Sequence, residues 1–451
     1  MFRESLKTMV TKLQIGMLAT IIVVASVISV YYFVLPIITP PPVAPQITLT
    51  MWGWGGDPLT TNEELRDAVI SLWNKTHPNV KIEATRMSWG DVHDKSMISL
   101  IAGEGAPDIA TVEHTQIAKY IATGHLVDVT EKIKPYLDDF PKWMIDLATG
   151  PDGKIYGIPI DTGECAVAYR IDIFEKYGLK TPDKWESWND VITEGQKLRA
   201  QNSSIWMMKV ARNDVNWPLM FLRAAGAQVM ERREDGTVRC IVNNTKAVEV
   251  MEWLDSLVDV YDVAYYGDIL TEDDWADLLN DRYIVLPVPA WLKISAPWSP
   301  LLNQTGKWRV CRWPSWEPGV PTSTNWGGSF YYITDQCENP DEAIELALWL
   351  ATNATVWDMT WKIAGSAVFP AYAPIQQLHW YTDPDPFFGN TSFYEPIIEG
   401  RPYVPSMYFS EYFPVFWERF KVALSDIATE NVPPAEALQR LADEVNREIA
   451  G

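Results

Sequence analysis

Tryptophan and carboxylate side chains are the residues of this chain whose chemistry points most directly to ligand binding. Twenty-two tryptophans occur among 451 residues, which is more than two hydrophobic cores require. Flat indole faces suit the C–H faces of pyranose rings, and neighbouring polar groups bond the ring hydroxyls. Most of these tryptophans are expected to pack in cores. The informative ones are therefore those that follow a strand or lie beside a glycine.

The loop Gly53–Asp57 contains the first such tryptophan, Trp54, directly after a predicted strand. Glycines allow a backbone to approach a ligand closely, and Asp57 adds a carboxylate to the same loop. Glu113 and His114 follow a second predicted strand in the same way. Because open α/β sheets bind ligands at the carboxyl ends of their strands, these four side chains are predicted to face one site.

The carboxylates Asp57, Glu113 and Asp161 would each accept hydrogen bonds from hydroxyl groups. Bonds to a charged acceptor are stronger than bonds between neutral groups. The same carboxylates would also suit a cation or an amine. These residues alone therefore leave the choice between a sugar and a cationic solute open.

Hydrophobic spacing and glycine or proline breaks predict the elements that position these side chains. Apolar residues at helical spacing predict one helix over 62–76 and another that starts near Trp89. Short apolar runs predict strands over 47–52, 78–82 and 108–112. The succession of strand, glycine-rich loop and helix predicts a parallel sheet in an α/β fold.

The N-terminus predicts a membrane anchor. The segment from Leu13 to Leu35 carries no formally charged residue, and at about 1.5 Å per residue it spans roughly 34 Å, enough for a bilayer core. Basic residues dominate positions 1–12, which places these residues in the cytoplasm and the remainder outside. We predict an uncleaved signal anchor at 13–35, with a cleaved signal as the alternative. The prolines of 36–45 predict a stiff spacer.

Charge and cysteine usage exclude several function classes. A formal net charge of −22 argues against nucleic acid and anionic membrane surfaces as partners. The four cysteines form no C-x-x-C pair, so we predict no metal or cofactor, and outside the cell they leave up to two disulfides open. Asn-x-Ser/Thr sequons favour an exported glycoprotein, and they begin at Asn74, Asn202, Asn243, Asn303, Asn353 and Asn390.

Motifs along the chain resemble those of family 1 extracellular solute-binding proteins of ABC importers, the group that includes maltose- and other sugar-binding proteins. The motifs are Gly105–Asp108, Gly124–Thr130, Asp152–Pro159, Asn325–Ile333, Asn339–Ala343 and the amphipathic tail that starts at Pro434. Each motif is weak alone, but their order and spacing extend over about residues 46–451. The chain is therefore identified as resembling this family.

The resemblance implies a two-lobed periplasmic-binding-protein-like fold (type II). Residues 46–160 plus 328–370 would form lobe 1, and residues 161–327 plus 371–451 would form lobe 2. The chain would cross between the lobes near Ile160, Trp326 and Pro370. A hinge with several crossing strands permits closure around a ligand while each lobe stays rigid.

The resemblance also implies a function: the extracellular substrate-binding subunit of an ABC importer, a monomer that captures a carbohydrate and delivers it to the permease. The residues expected to contact the solute are Trp54, Asp57, Glu113, His114, Asp161, Glu164, Asp214, Trp217, Trp291, Trp326, Gly327, Tyr412 and Trp417.

Three rival functions remain open from the sequence, and one of them is a purely structural surface protein that lacks a ligand-closed state. A receptor for a peptide, a polyamine or another cationic solute would suit the acidic charge. A surface glycoside hydrolase would need two facing carboxylates, about 5–5.5 Å apart for retention or 6.5–9.5 Å for inversion. The five histidines are scattered and no nucleophile elbow occurs, so we expect no enzyme activity.

Overall fold

The computed structural model describes residues 2–29, 46–295, 299–365 and 367–451. The predicted spacer at 36–45 lies outside the described residues. The chain divides into two compact units, one of Met1–Thr48 with Asn74–Lys81 and one of Leu49–Trp73 with Ile82–Gly451. The second unit contains every residue of the site described below.

Helices and strands alternate along most of the described chain. The α-helices are Phe2–Ser29, Glu63–Trp73, Trp89–Ala102, Ile117–Ile121, Thr130–Ile133, Lys142–Ala148, Ile171–Tyr177, Asp190–Gln201, Asn216–Ala224, Thr245–Asp259, Glu272–Leu279, Leu292–Ser295, Pro340–Thr352, Ala354–Ala364, His379–Thr382, Glu395–Gly400, Phe413–Glu430 and Pro434–Ala450. The strands are β1 (Ile47–Gly53), β2 (Val80–Arg86), β3 (Ile109–Glu113), β4 (Ile158–Arg170), β5 (Met208–Ala211), β6 (Met230–Arg232), β7 (Val238–Cys240), β8 (Ala264–Gly267), β9 (Val285–Pro289), β10 (Trp308–Arg312) and β11 (Asn325–Ile333).

The main sheet has the strand order β10-β4-β11-β3-β1-β2, with β9 also paired to β4. Strands β1 and β3 are parallel, whereas β11 is antiparallel to both β3 and β4. The prediction of a parallel sheet is therefore wrong for the sheet as a whole, which is mixed. The strand–loop–helix pattern fixes only the direction of the strands it connects, and β4 and β11 join the sheet through long-range pairing.

Strand β4 pairs with three other strands of this sheet, and all of its residues are buried. Its first half pairs with β11, from Ile158 to Glu164. Its second half pairs with β9 and β10, from Cys165 to Arg170. One continuous buried strand therefore connects two different sets of partners.

The three predicted crossing segments lie side by side. The N–H of Thr162 donates to the carbonyl of Phe369 at 2.8 Å, and the N–H of Ala371 donates to the carbonyl of Ile160 at 2.9 Å. Gly328 of β11 is the register partner of Thr162. The backbone thus joins the segments around 160, 328 and 370, whereas the lobe boundaries themselves stay a prediction.

A bulge in β11 faces the middle of β4. The register shifts between Asn325 and Gly328, and Gly327 and Gly328 adopt φ values of 105° and 111°. Opposite the bulge, a Cβ at Gly163 would lie 1.8 Å from the carbonyl oxygen of Trp326. Bulges re-aim side chains beside functional sites, and this one requires glycine on both strands.

The helix Trp89–Ala102 confirms the prediction of a helix that starts near Trp89. The Ser88 side chain accepts a hydrogen bond from the N–H of Asp91 and caps its first turn, and Gly103 ends the helix with φ 72°. The strand predicted at 108–112 is β3. The predicted strand at 47–52 is β1, and the amphipathic tail is the helix Pro434–Ala450.

The N-terminal helix Phe2–Ser29 begins earlier than the predicted span of 13–35. Among the described residues it is the one helix that is long and apolar enough to cross a membrane, counted from Arg3. Positions 30–35 of the predicted span lie outside the described residues.

The four cysteines, Cys165, Cys240, Cys311 and Cys337, are all buried, and none of them forms a disulfide in this structure.

Substitution of Gly163 by alanine is predicted to destabilise the protein. The new Cβ would overlap the backbone of Trp326, so β4 and β11 must separate, at a cost of about 1–3 kcal/mol in the free energy of unfolding. Chemical denaturation measures this change. The matched control is Gly90→Ala on a helix, where the Cβ meets no atom within 4 Å. Equal unfolding midpoints for both variants would contradict the close approach.

Candidate functional site

A cavity of about 730 Å³ lies where the predicted ligand loops meet. Its walls come from the ends of β1 and β3, from β4 and the β11 bulge, from the segment after β9, and from the helix Phe413–Glu430. The predicted site residues that line it are Trp54, Glu113, Asp161, Trp291, Trp326, Gly327 and Trp417. Residues on both sides of the predicted lobe division therefore contribute to the lining.

Trp54 and Trp89 form one aromatic wall around His93. The imidazole stacks on Trp54 with ring centroids 5.3 Å apart and lies 4.3 Å from the ring of Trp89. Its Nδ1 is 2.7 Å from the carbonyl of Trp89, and its Nε2 accepts from the N–H of Glu113 at 3.2 Å. Burial lowers the pKa of His93, which agrees with a neutral ring that fixes both tryptophans.

Trp291 and Trp326 form a second aromatic wall. The indole N–H of Trp291 donates to the carbonyl of Trp326 at 2.6 Å, and the two rings meet edge to face at 5.2 Å. A Cβ at Gly327 would lie 2.9 Å from Nε1 of Trp291. The glycine bulge therefore allows this ring to pack over the strand.

One face of the helix Phe413–Glu430 closes a third side. Pro414, Trp417, Glu418 and Lys421 line the cavity at helical spacing. The ammonium of Lys421 lies 2.9 Å from the carboxylate of Glu418 and 5.8 Å from the centroid of the Trp417 ring. The one basic side chain in the described lining is thus already paired.

Glu113 supplies an ionised acceptor to the cavity. Its carboxylate lies 2.5 Å from Nδ1 of His114 and accepts the N–H of Thr115 at 3.0 Å as well as the Thr115 hydroxyl. Burial raises the pKa of Glu113, but the charge and hydrogen bond of His114 and the Thr115 bonds outweigh it, so the pKa is lowered. Glu113 therefore carries a negative charge at neutral pH.

Asp161 and Asp57 differ from Glu113, because the pKa of each is raised. Burial, together with the charges of Glu113 and Asp57, raises the pKa of Asp161 to about 7, against the opposing effect of a hydrogen bond from Ser329. Burial raises the pKa of Asp57 to about 6. Its carboxylate accepts the N–H of Leu59 at 2.7 Å and the hydroxyl of Tyr331. Asp57 lines a small recess beside the cavity, and Asp161 lines both.

Two predicted acidic residues do not reach the lining. Glu164 is fully buried and accepts the hydroxyl of Thr162 at 2.5 Å. Because side chains alternate along a strand, Glu164 points to the face opposite Asp161. Asp214 accepts the N–H of Asn216 at 2.7 Å at the start of a helix, and burial raises its pKa to about 6.

Three predicted ring-bearing residues also lie outside the lining. His114 is buried behind Glu113, with its ring edge to face with Phe409 at 5.7 Å. Trp217 is buried and packs on Phe221 at 4.8 Å. Tyr412 directly precedes the helix that carries Trp417. The role of each in binding stays a prediction.

Sequence reasoning missed several lining residues, namely Gly55, Trp89, Thr115, Gln116, Asn216, Gly328, Ser329, Val368, Pro414, Glu418 and Lys421. Helical spacing from Trp417 carried a signal for Pro414, Glu418 and Lys421. No sequence pattern indicates Val368, because long-range pairing of its segment with β4 brings it to the site. Among the described residues, no group of three or more His, Cys, Asp or Glu side chains is arranged to hold a metal ion.

Comparison with known families gives one match that covers most of the chain. A family model described as bacterial extracellular solute-binding protein matches residues 56–357. This interval begins in the Trp54 loop and ends after the β11 bulge. It therefore includes Trp89 of the first aromatic wall, the whole second wall, and both lining carboxylates of β3 and β4, whereas Trp54 precedes it.

Individual relatives are distant in sequence and similar in length. An arabinooligosaccharide-binding protein of Halalkalibacterium halodurans is 23% identical, over 88% of this chain and 88% of the relative. The arabinooligosaccharide-binding protein of Bacillus subtilis is 24% identical, over 89% of this chain and 92% of the relative. The fold also matches the solved galacto-N-biose-/lacto-N-biose I-binding protein of the ABC transporter from Bifidobacterium longum, with a TM-score of 0.74 at 18% identity over 90% and 99% of the two chains.

Stability is predicted to depend on pH through Asp161. Its pKa rises from 3.8 in the unfolded chain to about 7 in the folded protein, so the folded state binds the proton more tightly. The free energy of unfolding should fall as pH rises from about 4 to about 7. Asp161→Asn should flatten that part of the melting temperature–pH curve, whereas Asp67→Asn at an exposed position should not. Parallel curves for wild type and Asp161→Asn would refute the prediction.

Proposed function

The chain belongs to the family of bacterial extracellular solute-binding proteins, and we propose that it is the substrate-binding subunit of an ABC importer for a carbohydrate. A mono- or oligosaccharide would bind in the 730 Å³ cavity and be delivered to the membrane permease. The volume lies within the range of small-molecule sites, roughly 300–1,000 Å³.

The observation that carries this proposal is the combination of aromatic faces and a charged acceptor in one cavity. Trp54, Trp291 and Trp417 line it together with Glu113. Indole faces suit the apolar side of a sugar ring. The lowered pKa of Glu113 keeps an acceptor ready for hydroxyl groups, and such charge-assisted bonds are the stronger kind. The carbohydrate ligands in the names of the relatives support the same solute class.

We also propose the predicted lobe division, with residues 46–160 plus 328–370 in lobe 1 and 161–327 plus 371–451 in lobe 2. Two sets of strand partners along β4 and the adjoining segments near 328 and 370 are what a shared hinge would need. Solute would favour a closed state only by binding it more tightly than the open state. The permease would then recognise the closed form of a monomeric receptor.

The N-terminal helix Phe2–Ser29 supports a membrane anchor for this extracellular protein. We propose that it is retained, with the basic residues Arg3, Lys7 and Lys12 of its N-terminal part in the cytoplasm and the solute-binding part outside. The sequons that are exposed, at Asn74, Asn243, Asn303 and Asn390, would be the acceptors of glycans. Electrophoretic mobility before and after enzymatic deglycosylation tests that modification.

We propose no catalytic activity and no nucleic-acid partner.

The experiment that tests the proposed function is a thermal-shift screen of the full-length chain in detergent, against sugars, peptides and polyamines. A ligand at a hundred times its Kd adds about 2.7 kcal/mol of stability. A shift with sugars is expected. A shift with peptides alone would replace the solute class, and release of shorter sugars during incubation would reveal the glycoside hydrolase.

Substitution of Trp54 by alanine is predicted to weaken sugar binding about tenfold to a hundredfold, because a stacking face is lost from the cavity. Isothermal calorimetry with the sugar selected by the screen measures this change. Trp206→Ala is the matched control, because that indole packs between Arg199 and Arg282 and does not line the cavity. An unchanged Kd for Trp54→Ala would remove this residue from the site.

A further inference from the structure

A recess of about 30 Å³ adjoins the cavity and shares Trp54, Asp161 and Ser329 with its lining. Asp57 and Thr111 line the recess but do not line the larger cavity. A space of this size holds a single group about as large as a water molecule. The recess therefore has room only for a small substituent of a ligand whose larger part would lie in the cavity.

The polar groups of the recess are incompletely satisfied. Thr111 is 2% exposed, and its hydroxyl has no hydrogen-bond partner in the described part of the chain. Asp57 and Asp161 are 6% and 7% exposed, and neither forms an ion pair with a described residue. A buried hydroxyl without a partner costs roughly 1–3 kcal/mol, which a ligand group placed in the recess would recover.

The number of hydrogen-bond donors distinguishes the chemical groups that could occupy the recess. The Asp57 carboxylate already accepts the N–H of Leu59 and the hydroxyl of Tyr331, yet each oxygen accepts more than one bond. A sugar hydroxyl has one proton and no charge. A primary ammonium has three N–H donors and one positive charge, which matches two carboxylates and one hydroxyl.

We propose that the recess binds the protonated primary amine of an amino sugar whose ring lies in the larger cavity. The proposal rests on the carbohydrate-binding function proposed above and narrows its substrate class. Lys421, the basic side chain in the described lining, pairs with Glu418 on another wall, so it does not compete for the recess.

The protonation states agree with this assignment. Burial raises the pKa of Asp57 to about 6 and that of Asp161 to about 7. A cation in the recess would favour the ionised form of both acids, so binding of the ammonium would release protons near neutral pH. Glu113 and Tyr331 are the other titratable groups whose interactions act on this pair.

Matched sugar pairs that differ only in the amine test the proposal. Calorimetry on the full-length chain would compare glucosamine with glucose, galactosamine with galactose, and the glucosamine disaccharide with cellobiose. In at least one pair the amino form is expected to bind about tenfold tighter or more, with proton release detected in buffers of different ionisation enthalpy.

Thr111 variants separate binding from folding. Thr111→Val removes an unpartnered buried hydroxyl, so the ligand-free protein should melt no lower than wild type, while the preference for the amine falls about three- to tenfold. Thr111→Ser retains the hydroxyl and should retain the preference. Asp57→Asn should reduce the same preference more strongly, because it removes a charge.

Three outcomes would overturn the amine assignment. Neutral sugars that bind as tightly as their amino forms would overturn it while the carbohydrate receptor stands. Binding of spermidine without any sugar would overturn both the sugar ring and the carbohydrate function. Absence of binding by all neutral and amino sugars would overturn the proposed function and the inference together.

Discussion

The close approach of β4 and β11 is the constraint on which the site depends. Gly163 leaves room for the carbonyl of Trp326, and its N–H donates to the side chain of Asn325 at 3.0 Å. The resulting bulge lets Trp291 pack over Gly327 and donate to the Trp326 carbonyl. A single backbone contact between two strands thereby fixes one aromatic wall and positions Asp161 beside it.

The site combines two kinds of carboxylate because their surroundings differ. Glu113 has His114 and Thr115 as partners, so burial does not prevent its ionisation. Asp161 and Asp57 lack a cationic partner in the described chain, and burial raises the pKa of both. Glu113 thus supplies a negative charge to the cavity, beside a pair of acids whose ionised forms a bound cation would favour.

Much of the fold and part of the site could be predicted from the sequence. Trp54 and Glu113 follow short predicted strands, and ligand sites at strand ends are a general property of α/β sheets. The mixed sheet could not be predicted, because β11 pairs with β3 and β4, which are far from it in sequence. The same reason applies to Tyr331, which bonds Asp57 from 274 residues away. Proximity to Asp161 in the sequence predicts Glu164 at the site, whereas the alternation of side chains along the strand turns it away from Asp161.

A crystal structure of the protein with the sugar selected by the binding screen tests the central claim most directly. The claim predicts electron density for the sugar in the cavity, with a ring face against Trp54 or Trp291 and hydroxyl groups on Glu113. Density for the sugar outside this cavity, with the aromatic walls unoccupied, would contradict it.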